Sequence, residues 1–157
     1  MADGTTTDIA SANGYTAEIV RITRELTASI NHYTALHHLA GEHGGDVLQD
    51  ARSTACRSWR GIVETIPGDP PAFFAGTHAV LVRWAAALAD AGDAMAAAID
   101  GNDPAALAVA IDTYRETIAL SEEFRRVAEA EPDGGGGRAG WRRPLCAGGR
   151  EGSQKRL

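Results

Sequence analysis

The stretch Asp69–Asp100, DPPAFFAGTHAVLVRWAAALADAGDAMAAAID, limits what this chain can fold into more than any other. Leu81, Trp84, Leu88, Ala91, Met95 and Ala98 recur in steps of three and four, which places them on one stripe of an α-helix. Arg83, Asp90, Asp93 and Asp100 fall off that stripe. Asp69 is positioned to cap the helix. Pro70 and Pro71 suit a first turn, where a missing N–H removes no hydrogen bond. A helix of about 30 residues at about 1.5 Å each is about 45 Å long. So long a helix with a single apolar stripe needs other helices to cover it.

The remaining segments supply them. Tyr15, Ile19, Ile22, Leu26, Ser29, Tyr33, Leu36 and Ala40 form an amphipathic stripe that ends at His43-Gly44-Gly45, where a glycine can take a positive φ. Asp46 is a candidate cap for a second helix, with Leu48, Ala55, Trp59, Ile62, Val63 and Ile66 on its apolar face and Arg52, Arg57 and Arg60 largely off it. Asp50 and Glu64 lie near enough in sequence to pair with those arginines. Pro67-Gly68-Asp69-Pro70 breaks the chain before the central helix. Gly101-Asn102-Asp103-Pro104 ends that helix and opens another, with glycine past the end, Asp103 as cap and Pro104 at the first position. In the last helix Leu107, Ile111, Tyr114, Ile118, Leu120, Phe124 and Val127 drift around the axis, so it is expected to be covered on two sides.

The expected fold is therefore all-α, an up-and-down antiparallel four-helix bundle over residues 14–133. Residues 1–13 have no period and read as a flexible N-terminal extension. Residues 134–157 contain eight glycines and no apolar period, and read as a Gly/Arg-rich disordered tail.

Charge is divided along the chain. Residues 1–133 hold 9 Arg against 20 carboxylates, and residues 134–157 hold 6 cations against one. An acidic body is poorly suited to direct nucleic-acid binding. Fourteen Arg beside one Lys, with abundant Ala and Gly, read as the codon bias of a GC-rich genome. Cys56 and Cys146 imply neither a disulfide framework nor a zinc site. No uninterrupted apolar run approaches the ~20 residues of a membrane span. The N-terminus lacks the basic and apolar regions of a secretory signal. The chain reads as cytoplasmic, or as extracytoplasmic if a signal peptide was removed ahead of it.

Histidines are the first place to look for chemistry. His32 and His43 share a helix face but stand eleven residues apart, about 16 Å along the axis, too far to share a metal. His38 and Glu42 are spaced i, i+4 and can share a metal or an ion pair, on a face turned toward water. His37 and His78 flank their apolar stripes. A pocket inside the bundle would join these two to a carboxylate such as Glu18 or Glu25. The sequence predicts no cofactor and no metal. Were a metal held, its ligands would come from His37, His78, His38 and Glu42. No phosphate-binding loop or nucleophile elbow is present, and no catalytic residue is assigned.

Three resemblances follow from short motifs. His38-Leu39-Ala40-Gly41-Glu42-His43 resembles the His-Leu segment of DinB-like bundles, among them mycothiol-dependent isomerases, and His38 is the one position matching a ligand there. The Trp that usually precedes that segment is absent. Trp59-Arg60-Gly61 resembles the Trp-x-Gly bend of helical hairpins exported by type VII secretion, but the apolar period continues past Gly61 and no Tyr-x-x-x-Asp/Glu signal follows Tyr114. From Ile66 to Ala130, the Pro-Pro start, Ala-Phe-Phe-x-x-x-His, the Ala-rich helix and Asp-Gly-Asn-Asp-Pro are together similar to Ala-rich helical-bundle proteins of GC-rich bacteria. Many of those are exported, and most have no assigned activity.

The function expected from this reading is non-catalytic: a small interaction or accessory protein working through helix faces, with itself or another helical protein as partner. Long Ala stripes permit close helix approach and leave surface for another helix. The alternatives are a metal- or small-molecule-binding bundle with an internal His/carboxylate pocket, and an exported helical protein of the type VII kind.

Overall fold

The computed structural model describes residues 4–130, and every regular element among them is helical. The elements are α1 (Gly4–His43), α2 (Gln49–Val63), α3 (Ala75–Asp100) and α4 (Pro104–Ala130), with 3-10 turns at Gly45–Leu48 and Ala72–Phe74. They form an all-α, up-and-down antiparallel four-helix bundle. The tail expected over 134–157 lies outside the described residues.

Each joint has a local cause. Gly44 takes φ 97°, a conformation that favours glycine, and ends α1. Asp46 does not cap α2. A 3-10 turn intervenes, its end closed by the Gln49 N–H on the Asp46 carbonyl, and α2 starts without a side-chain cap. Asp69 is likewise no cap, and the two prolines precede α3 and do not open it. Asp69 and Pro70 each stand before a proline, which disfavours helical backbone, and Pro71 is extended at φ −55°, ψ 146°. The helix starts only after the Phe74 N–H has bonded the Pro71 carbonyl at 2.8 Å. It is 26 residues long, about 39 Å.

The α3–α4 joint follows the sequence more closely. Asn102, not Gly101, adopts the left-handed conformation, at φ 48°. The Asp103 N–H bonds Ala98 O and the Asn102 N–H bonds Ile99 O, the two bonds of a Schellman motif. Asp103 then caps α4, its Oδ1 accepting the Ala106 N–H at 2.9 Å.

The backbone is helical from Gly4, ahead of the first residue of the apolar stripe, Tyr15. No proline interrupts this stretch, and extending a formed helix is far easier than nucleating one.

Burial makes α3 the centre. All six stripe residues are buried, and so are Ala85, Ala89, Gly92, Ala96 and Ile99, which face a second neighbour. Thus α3 is covered on two sides, by α2 and α4. The two-sided burial expected of α4 is absent. Only Ala110, Thr117 and Phe124 are fully buried there, at steps of seven along one face. Trp84 stacks on Phe124 at 6.0 Å, and Trp59 of α2 meets Tyr114 of α4 at 5.6 Å.

The first helix is held differently. It packs along α2, and among the described residues no Cα of α1 lies within 8 Å of a Cα in α3 or α4. Side chains make its contact with α3. The Tyr15 hydroxyl is hydrogen-bonded to His78 Nδ1 at 2.8 Å, and its ring lies 5.1 Å from Phe74.

By length and composition Ala72–Asp100 is the one described stretch that meets the measure of a membrane span, with mean hydropathy 1.4. Arg83 and Asp90 interrupt it, so no uncharged run of 20 arises. In the bundle its stripe from Leu81 to Ile99 is covered by α2 and α4, Phe73 and Val82 stay exposed, and its charges pair with arginines of α2 and a glutamate of α4.

Candidate functional site

The residues singled out in the sequence do not converge. His78 sits beside Tyr15, while His37 lies 22 residues further along α1, about 33 Å away at the helical rise. A shared His37–His78 pocket is therefore ruled out by the geometry of one helix. The His38 Nε2 is 3.4 Å from the Glu42 carboxylate, and both side chains are exposed. Glu18 and Glu25 both hold Arg21, at 2.5 and 2.6 Å. The Arg21 hydrogen bond keeps the Glu18 carboxyl below its ordinary range. Among the described residues no three His, Cys, Asp or Glu are placed to share a metal ion.

His32 lines a shallow groove between α1 and α2 with Ser29, Asp50, Ala51, Thr54 and Ser58. The Ser29 and Ser58 hydroxyls are 2.7 Å apart, and Ser58 donates to the Ala55 carbonyl. Trp59 is fully buried and α2 continues through Gly61 to Val63, so Trp59-Arg60-Gly61 forms no bend.

One residue that the sequence reading put off the apolar face belongs to it. Arg52 is 9% exposed. Its spacing of three, four and seven from Ala55, Cys56 and Trp59 was the available signal. Its Nη2 donates to the Gly45 carbonyl at 3.1 Å. No acceptor meets its Nε–H among the described residues. Neither Asp50 nor Glu64 pairs with it, or with any arginine in this set. Around it burial pushes the Tyr33 hydroxyl and the Cys56 thiol each up to about 12. Burial, and then the Arg52 charge, holds His37 below its usual range. Tyr33 and His37 stack at 5.6 Å.

The other α2 arginines clamp α3. Arg57 pairs with Asp100, and Arg60 reaches Asp93 at 2.5 Å and Asp90 at 2.7 Å. Arg83 ties α3 to Glu123 of α4 at 2.6 Å. These pairs cover the sides of α3 with matched charge.

One flank of α4 is different. Leu107, Ile111, Arg115, Ile118, Glu122 and Arg125 follow one another in steps of three and four and share a face. Leu107 and Ile111 are half-buried against the core, and Ile118 is 47% exposed. Arg115 and Arg125 are exposed and Glu122 is exposed too. The chain matches no known family model, no curated protein and no solved structure.

Proposed function

We propose that this chain is a non-catalytic helical interaction protein that self-associates through the flank of α4 that carries Ile118. The observation carrying this is the order of residues on that face: exposed Ile118, with Arg115 three residues before it and Glu122 four after it. A second copy laid antiparallel across Ile118 brings Arg115 of one chain close to Glu122 of the other, twice, by two-fold symmetry. The same operation brings Ile118 against its own copy. Opposite charges around an apolar centre fix register and orientation without needing a large area. The spread of the sequence-selected histidines along α1 and α3 also supports a non-catalytic reading over an internal pocket. The acidic body favours protein over nucleic acid as partner.

The test is a pair of charge variants followed by light scattering on a sizing column. Arg115→Glu should weaken association, because it sets a carboxylate at position 115 against Glu122 of the second copy. Adding Glu122→Arg should restore it. If the single variant keeps the parent's mass at every concentration, the face is not the contact.

A further inference from the structure

Arg52 is the one charged residue among the buried residues described. A guanidinium has five N–H donors. Here one bond is made by Nη2, to the Gly45 carbonyl, and Nε–H meets no acceptor among the described residues. No described carboxylate stands within ion-pair distance, in contrast to Arg21, Arg57, Arg60, Arg83 and Arg115. Burying a cation without a counter-charge is costly, and natural chains rarely leave one so.

The approach to this group is also unusual. Arg52 is the fourth residue of α2, close to the positive end of that helix. It lies against the Gly44–Gly45 turn. A Cβ built on Gly44 would meet nothing within 4 Å, and one built on Gly45 would meet only Arg52 Nη2, at 3.6 Å. With no side chains there, the turn leaves room beside Nη2, while Nε–H stays buried behind it. The Tyr33 hydroxyl and His37 Nδ1, 3.4 Å apart, lie within the electrostatic reach of Arg52. Both can donate to an oxygen ligand.

We propose that Arg52 is the floor of a binding site for a small oxyanion, a carboxylate or a phosphate, entered through the Gly44–Gly45 turn. The planar fork of an arginine matches two oxygens of such an ion. This site is separate from the α4 face, and either proposal can fail without the other.

The experiment follows the Arg52 Nε–H resonance and the Gly44 and Gly45 amides by NMR in the full chain. Sodium phosphate and sodium acetate are titrated in separate arms, with sodium chloride at matched ionic strength as control. The expected result is a saturable shift of these signals with at least one oxyanion and none with chloride. The arm that saturates at lower concentration names the chemistry. Arg52→Lys keeps the charge but loses the fork, and should weaken binding about tenfold. Because the parent spectrum carries the main readout, a variant that fails to fold does not blunt the test. No saturable shift in either arm, an equal response to chloride, or an undiminished response in Arg52→Lys would each overturn the proposal.

Discussion

Gly92 of α3 lies directly against Trp59 of α2: a Cβ at Gly92 would stand 2.7 Å from Trp59 Cε3 and 2.7 Å from the Cys56 carbonyl oxygen. Neither neighbour can yield easily, since one is backbone and the other is a fully buried ring. The two helices cross here because this residue has no side chain. Gly92→Ala gains ~1 kcal/mol of helix propensity but incurs a core clash of about 1–3 kcal/mol or more. A net loss of up to about 2 kcal/mol is expected from the urea midpoint. Gly61→Ala, also within a helix but facing open space, should instead gain about 0.5–1 kcal/mol. Equal effects at the two sites would contradict the packing described.

Leu88 is 1% exposed in the middle of the α3 stripe. Replacing it with Ala removes buried methyl groups and leaves a cavity, at a cost of about 2–5 kcal/mol. The helix content of the folded state should be unchanged. A loss under about 0.5 kcal/mol is what a surface position would give, and would mean that α3 is not the central helix.

Tyr15 and His78 make a hydrogen bond between α1 and α3 in a region where the two backbones stay apart. Tyr15→Phe keeps the ring contact with Phe74 and removes the hydroxyl. A loss of about 0.5–1.5 kcal/mol is expected, with faster amide exchange in the N-terminal part of α1 than in α2. His38→Gln, at an exposed ion pair, should change stability by less than about 0.5 kcal/mol.

His37 gives a pH dependence whose sign is fixed. Its folded-state pKa is lowered by burial and by Arg52. The unfolded chain therefore takes up this proton first as pH falls. The contribution of neutral His37 is complete above the unfolded value of about 6.5 and is lost as pH drops through the lower folded value. Melting temperatures from about pH 7.5 down to about pH 5, a range that spans the ordinary histidine value, should fall in the parent. They should fall less steeply in His37→Gln. An identical slope in both proteins would show that His37 does not titrate differently on folding.

What the sequence made legible was periodicity. The stripes of α1 and α3 appear in the burial pattern almost residue for residue, from Tyr15 to Ala40 and from Leu81 to Ala98. The Asp103 cap was legible because an Asp-Pro step before an apolar period has few other uses. Asp69 misled because the prolines after it act on the residues before them. The second buried face of α3 was hidden by its composition. Ala85, Ala89 and Ala96 carry little hydrophobic signal, yet they let α2 and α4 come close. The charge of Arg52 speaks for solvent, while its position three, four and seven residues before Ala55, Cys56 and Trp59 puts it on the buried stripe. The candidate sites depended on distances between helices, such as the separation of His37 from His78, and no one-dimensional spacing contains these.

Sedimentation velocity of the parent chain over a wide concentration range tests the central claim most directly. Self-association through the α4 face predicts a sedimentation coefficient that rises with concentration toward that of a dimer. It also predicts that the rise shifts to higher concentration in Ile118→Glu, with helical content unchanged. A parent chain that sediments as a monomer at all concentrations, or an Ile118→Glu variant that associates as strongly as the parent, would contradict it.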